Sequence, residues 1–451
     1  MANTPMANAD GRIRLGAFLS GSGAHTGAWR HPHADADASL NVQRYQHYAQ
    51  TLERGCFDAL FLNDNVSVGE LAPEVLARGP YSLRWDPLIL LPALAMVTRH
   101  IGLIATANTS YNQPYNLARS FASLDQLSNG RAGWNLVTAL VGGENFNHDQ
   151  PLAHAERYQR AEEFLDVVTG LWDSWADDAF PLDKTSGTWL NVQRMHVLNH
   201  RGPHFQVQGP LNAPRPIQGW PVIAQAGSSE AGRELAARSA ELVFTAQQTL
   251  GEGQAFYRDL HERLARYGRA PEALKIFPGI SPIVGRSAAE AEEKHQQLLE
   301  LVDPKSALKQ LGFLLDLGID LAALPLDAPV PLPAQPPTTE RHKSRQQLVL
   351  DLIRRERPTV GELLRMLGAG GHRLVVGTPA QIVDELACWC HEGAADGFNI
   401  LFTHLPGGVD EFVQWVVPEL QRQGLFRTEY EGRTLRENLG LGRVANRFFA
   451  G

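Results

Sequence analysis

From Arg12 to Phe18 polar and apolar residues alternate, and between Leu40 and Leu52 the spacing turns helical, with Val42, Tyr45, Ala49 and Leu52 on one face. The first unit is therefore a strand followed by a helix. The short apolar run Asp58 to Leu62 ends at polar Asn63-Asp64-Asn65, and an apolar helix from about Pro87 to Val97 precedes another short strand at Ile101 to Thr106. The rhythm continues with a helix at Pro114 to Leu127, a strand at Arg131 to Asn135 and a long helix at Ala155 to Trp175. Further on, Pro221 to Ala224, Glu241 to Thr245, Ile276 to Val284 and Gly397 to Thr403 read as strands. Between and after them, Ser229 to Ser239, Gln254 to Tyr267, Ala288 to Leu301 and Val409 to Gln423 read as helices. Roughly eight strand–helix pairs fit the chain, which predicts an α/β fold, a closed (β/α)8 TIM barrel rather than an open sheet.

Two stretches break the rhythm. Asp177 to Gly219 is rich in Pro, Gly, His and Asn and is read as an excursion, partly hairpin. Pro325 to Pro337 holds six prolines in thirteen residues, which excludes core strand or helix, and it leads into basic His342-Lys343-Ser344-Arg345. The expected organisation is one barrel domain over residues 1–451, with insertions at about 177–219 and 303–373, the latter a candidate lid.

Charge narrows the partners. Forty-one Lys and Arg against forty-nine Asp and Glu give a net charge of −8, which offers no field for nucleic acid or anionic lipid. The longest apolar run, Leu88 to Val97, is about half the length that spans a bilayer. Met1 to Arg14 lacks a basic stretch followed by an apolar core, so cytoplasmic residence is the expectation. Cys56, Cys388 and Cys390 fit neither a zinc knuckle nor a redox pair and are read as reduced thiols.

Candidate chemistry clusters where parallel barrels carry their sites, just beyond strand ends. Asn63-Asp64-Asn65, Thr106-Ala107-Asn108 and Asn135 to Thr138 each follow or end a strand, a pattern that suits a polar ligand held at a barrel mouth and also suits ordinary turns. His154 and Tyr158 lie four apart on one helical face. Ala226-Gly227-Ser228-Ser229 joins a strand to a helix, where free backbone N–H groups and hydroxyls favour an anion or a simple N-cap. The glycines of Gly21 to Gly27 mimic a dinucleotide fingerprint, but the third falls one position late. His31 and His33, with Asp35 and Asp37, are the best metal-like cluster; loop and capping roles compete.

Taken together, Trp29 to Pro32, Gly55 to Asp64, Ser120 to Arg131, Gly133 to Thr138, Glu156 to Tyr158, Gln225 to Arg233, Asp396 to Asn399 and Val416 to Leu420 resemble, in order, the flavin-dependent monooxygenases of the nitrilotriacetate, dibenzothiophene-sulfone and long-chain-alkane type in the bacterial luciferase-like superfamily. The resemblance implies a luciferase-like TIM barrel and reduced FMN (FMNH2) as bound co-substrate. It further implies insertion of one atom of O2 into a small or medium organic substrate through a flavin peroxide. Flavin contacts are implied at Asp64, Asn108, His154, Tyr158 and Ser229, with Thr138 and Ser228 close by. Asp64 and Asn108 would lie near the ring or ribityl chain, and Tyr158, Ser228 and Ser229 near the phosphate. At Asn108 the family often has Ser or Thr, and some relatives place a His where this chain has Leu140.

No nicotinamide fingerprint is present, so reduced FMN is expected from a separate NAD(P)H-dependent flavin reductase, in a two-component, cytoplasmic system, and a homodimer or homotetramer is expected from the family. His25, on the loop after the first strand, is the candidate catalytic acid or base, against the alternative of a solvated loop histidine. Two rival functions stay open: a metal-dependent barrel hydrolase using His31 and His33, and a flavin-binding barrel without oxygenase activity. Substrate walls are expected from the 177–219 and 303–373 segments, with Trp85, Phe146, Trp189 and Phe205 as aromatics that line the pocket or belong to the core.

Overall fold

In the computed structural model, which describes residue 8 and residues 10–68, 72–79, 82–139, 141–147, 152–316, 318–332, 343–368 and 371–449, nine strands form one parallel sheet. They are β1 (Arg14–Leu19), β2 (Ala59–Leu62), β3 (Gly102–Asn108), β4 (Ala132–Val137), β5 (Val222–Gln225), β6 (Leu242–Thr245), β7 (Lys275–Val284), β8 (Arg373–Gly377) and β9 (Gly397–Leu401). Eight close into a ring in the order β1-β2-β3-β4-β5-β6-β7-β9, because β9 pairs with β7 on one side and β1 on the other. The barrel expected from the sequence is therefore present. Strands buried on both faces read as short apolar runs, and all seven residues of β3 are buried.

The alternation of side chains sorts each strand into two cores. Outward residues pack beneath the helices: Trp134 is fully buried with its ring 5.7, 5.9 and 6.3 Å from those of Phe121, Phe164 and Trp172. Inward residues such as Ala59, Phe61, Ile104, Ala224 and Phe244 fill the barrel. Leu435 stoppers its lower end. A Cβ on Gly102 would stand 2.9 Å from the Asp58 carbonyl and closer still to Leu435, so glycine is what lets this stopper seat. The same end is fastened by buried ions: the Asp58 carboxylate accepts from the Leu15 N–H at 2.7 Å and from Arg427, and Arg436 forks onto Glu241 at 2.6 Å.

Around the ring run α1 (Val42–Arg54), α2 (Pro87–Ala95), α3 (Pro114–Leu127), α4 (His154–Trp172), α5 (Glu230–Ser239), α6 (Leu250–Leu264) and α7 (Ala288–Glu300). Helix α6 begins earlier than its apolar spacing predicts, because Thr249 and Glu252 form a capping box. The 177–219 excursion contains a small hairpin, His200–Arg201 against Gln206–Val207.

Within 303–373, α8 (Pro304–Leu315), α9 (Lys343–Glu356) and α10 (Val360–Met366) gather an apolar cluster of their own around Leu308, Val349, Leu350, Ile353 and Leu363. Residues 333–342 of the proline-rich and basic stretch lie outside the described residues, as does Leu140. The segment ends on two elements that its pattern did not announce: β8, which pairs with Ile280 to Val284 of β7, and α11 (Pro379–His391). Ile280 pairs with β9 on one side and β8 on the other, so β8 continues from β6 along the same edge of β7. A helix spans 407–422, with a π-turn at Phe412–Val416. No helix among the described residues is long and apolar enough to cross a membrane.

Candidate active site

The carboxyl ends of the strands open onto a cavity of about 470 Å³. Phe18 of β1, Phe61 of β2 and Phe244 of β6 line it together, their ring centroids 5.5 to 5.8 Å apart. Polar groups come from the next strands. Thr106 and Asn108 are two apart on β3, and Asn135 of β4 donates its Nδ2 to Thr106 Oγ1 at 2.9 Å. Register explains the contact, since Thr106 and Asn135 are partners across the β3–β4 ladder. The amide oxygen of Asn135, Oδ1, and Oε1 of Gln225 on β5 are buried without a hydrogen-bond partner among the described residues. Two acceptors left unsatisfied in a cavity wall are costly unless a bound donor meets them.

One corner of the cavity has the groups of an anion cradle: the N-terminus of α5 with two hydroxyls beside it. Ser229 caps α5, its Oγ accepting from the Gly232 N–H at 3.2 Å, and the Tyr158 hydroxyl of α4 lies 3.3 Å from the same Oγ. Gly227 keeps this corner open: a Cβ there would meet Gly232 Cα at 3.1 Å and the Tyr158 hydroxyl at 3.4 Å. His154, one turn before Tyr158, holds its ring 4.9 Å away. Capping and anion binding, which compete in the sequence, are thus offered by the same serine.

The structure brings Asp64, Asn108, Thr138, His154, Tyr158 and Ser229 together around this cavity. Asn108 Oδ1 accepts from the Tyr111 N–H at 2.8 Å, which fixes the amide in place. Burial lifts the Asp64 carboxyl above the ordinary aspartate range, and Asp86 adds to the effect. Ser228 sits at the margin, its Oγ 3.4 Å from Thr245 Oγ1, and is not among the lining residues.

His25 is not brought to the cavity. Its Nδ1 accepts from the Gly27 N–H at 3.1 Å, and a Cβ on Gly368 would stand 2.6 Å from its Nε2, so the ring is roofed by the insertion. Burial, with His295 and His31 nearby, brings its pKa down to about 4. The His31 ring lies against that of His404 at 3.9 Å, and among the described residues no group of three ligating side chains could hold a metal ion.

The family model described as luciferase-like monooxygenase matches residues 13–396. The chain belongs to that family. As a luciferase-like monooxygenase it is 48% identical over 449 residues to nitrilotriacetate monooxygenase component A of Aminobacter aminovorans, covering 97% of this chain and 98% of the relative. Among solved structures, DmoA from Hyphomicrobium sulfonivorans superposes with a TM-score of 0.85 at 34% identity, over 95% of this chain and 92% of that one. A riboflavin lyase solved with modified FMN and riboflavin gives a TM-score of 0.83 at 30% identity, over 95% and 96% of the two chains.

Several cavity residues of this luciferase-like barrel escaped sequence reasoning. Phe18, Phe61 and Phe244 look like ordinary core in a strand, and only their shared position near the strand ends marks them. Arg84 stands in a polar loop before α2 with no motif around it, yet it lines the cavity. Conversely, Trp85, Phe146, Trp189 and Phe205 are not among the lining residues; Phe146 stacks on Tyr111 at 5.1 Å and Phe205 is buried against Phe164. Among the described residues, neither the 177–219 excursion nor the 303–373 insertion contributes to the wall.

Proposed function

We propose that this monooxygenase is the oxygenase component of a two-component system, which binds FMNH2 delivered by a separate NAD(P)H-dependent reductase and inserts one atom of O2 into a small or medium organic substrate. The observation that carries the reading is the pairing, in one cavity, of the Ser229–Tyr158 anion cradle with the unsatisfied acceptors of Asn135 and Gln225. A flavin mononucleotide answers both, with a phosphate for the cradle and with ribityl hydroxyls and ring N–H groups as donors for the amide oxygens; the Gln225 amide stands in the same corner as Tyr158.

On this reading Tyr158, Ser229 and the N-terminus of α5 hold the phosphate, with His154 and Ser228 beside them, and Asp64, Asn108 and Thr138 contact the ring or ribityl chain. Bound reduced FMN supplies the reactivity toward O2 that side chains lack. The protein's part is to bind, orient and keep water away. The three phenylalanines make an apolar surface where water finds no partner. Asp64, lifted by burial, holds a proton to higher pH than an exposed aspartate and presents it at the cavity wall. The 303–373 insertion serves as a lid. Its roof over His25, beside the mouth, and its separate apolar cluster support that role.

Quenching of FMN fluorescence tests the site. Tyr158→Phe combined with Ser229→Ala is expected to weaken binding at least tenfold, because each change removes a donor to a charged group. Binding unchanged in the folded double variant would remove the cradle from the flavin site. An oxygenase, given 18O2, places one labelled atom in product.

A further inference from the structure

Arg84 is the cavity's unspent charge. Its Nη1 donates to Ser20 Oγ at 3.1 Å, the one hydrogen bond it makes to the described residues, and among those residues no carboxylate lies within ion-pairing distance of it. Asp64 acts on it only through space. The side chain is open to the water of the cavity while protein encloses most of it, and that enclosure pulls its pKa below the ordinary arginine value. Arginines that are buried elsewhere are matched on several sides. Arg215 meets Asp173 and Asp177, Arg263 meets Glu230, Glu234 and Asp259, and Arg131 donates to four backbone carbonyls. A guanidinium offers five N–H donors in a planar fork. Arg84 gives one of them to Ser20 and stands in the cavity wall, where the remaining fork can meet an anion.

The phosphate of the cofactor is not that anion. Ser20 follows β1, Ser229 follows β5, and in the ring of eight these strands are opposite one another. Arg84 therefore stands across the mouth from the anion cradle, near Phe18 and Asp64.

Resting on the flavin reading above, we infer that Arg84 is the substrate's anchor and that the substrate is an organic anion, a carboxylate or sulfonate whose two oxygens take the guanidinium fork while its apolar part lies over the phenylalanines. The anchor fixes which carbon or heteroatom reaches the flavin, so it determines specificity as well as affinity.

The test uses the full chain with and without FMN, and a panel of small mono-, di- and tricarboxylates and sulfonates, each beside its neutral amide, with binding read by calorimetry. The parent is expected to prefer at least one acid over its amide by tenfold or more. Arg84→Gln is expected to bring that preference within twofold, with FMN affinity and melting temperature unchanged, and Arg84→Lys to keep part of it because charge remains and the fork is lost. The inference is overturned if no acid outcompetes its amide on the parent, or if the preference survives in Arg84→Gln. It is also overturned if Arg84→Gln chiefly weakens FMN, which would make the guanidinium a flavin contact. Failure of the parent to bind FMN would instead sink the flavin reading, and the acid-against-amide comparison without FMN separates the two.

Discussion

The barrel and the insertion are held together by different means. In the barrel, a closed ring of hydrogen bonds runs between two apolar cores, and buried ions fasten its lower end. The insertion has one small cluster, joined to the barrel through separate polar contacts: Thr26 N–H to the Gly368 carbonyl at 3.3 Å and Gln248 Nε2 to the Gly371 carbonyl at 2.6 Å. On the lid reading proposed above, a rigid cavity and a movable cover correspond to these two regions of unequal cohesion.

The most severe way to break the comparison is to damage the ring's support. Trp134→Ala removes a fully buried indole from contact with three other rings, and about 3–5 kcal/mol of global stability should be lost with it, flavin binding included, as read from the denaturant midpoint. Leu350→Ala should cost about 2–4 kcal/mol, but locally: hydrogen exchange should rise in α9 and α10 while exchange in the barrel strands and FMN affinity stay as they were. A single melting transition carrying both regions would refute the unequal cohesion.

The smallest effect is at the seam and depends on pH. His25 has a folded pKa of about 4 against an ordinary value of 6.5, so the folded state refuses a proton that the unfolded or lifted state accepts. Stability at the seam is therefore full above pH 6.5 and is lost as pH falls toward 4, about 2 kcal/mol of it by pH 5. The groups around it are His31, His295 and the Gly368 and Thr403 backbone. His404, brought down to about 3, adds in the same direction. Exchange in the insertion, measured from pH 7 to 5, should rise in the parent and flatten in His25→Gln; identical slopes would dismiss the histidine as the cause.

The eight ring strands could be read from sequence because burial on both faces leaves short, uninterrupted apolar runs, as at Ala59 to Leu62. β8 could not: four of its five residues are only half-buried, and Arg373-Leu-Val-Val-Gly377 follows a stretch whose prolines suggested irregular chain throughout. The polar rim was visible because Asn, Asp and Thr after strand ends are unusual companions for a core. His25 was misplaced in expectation since a loop histidine carries no sign of the roof that distant Gly368 builds above it. Arg84 was invisible for a related reason. What sets it apart is that no carboxylate among the described residues pairs with it, and that is a property of the folded surroundings.

The pairing of β7 with β8 has one more consequence, for how such an enzyme changes over generations. Val284 and Gly377 are partners in that ladder, so the 92 residues between them start and finish at adjacent points of the sheet. Lengthening a chain whose ends are already clasped costs little, about 0.6 kcal/mol per doubling. The part of this stretch beyond α7, which itself packs on the ring, can thus vary in length. Recombination, natural or in the laboratory, is expected to exchange that part while the eight-stranded ring keeps its register.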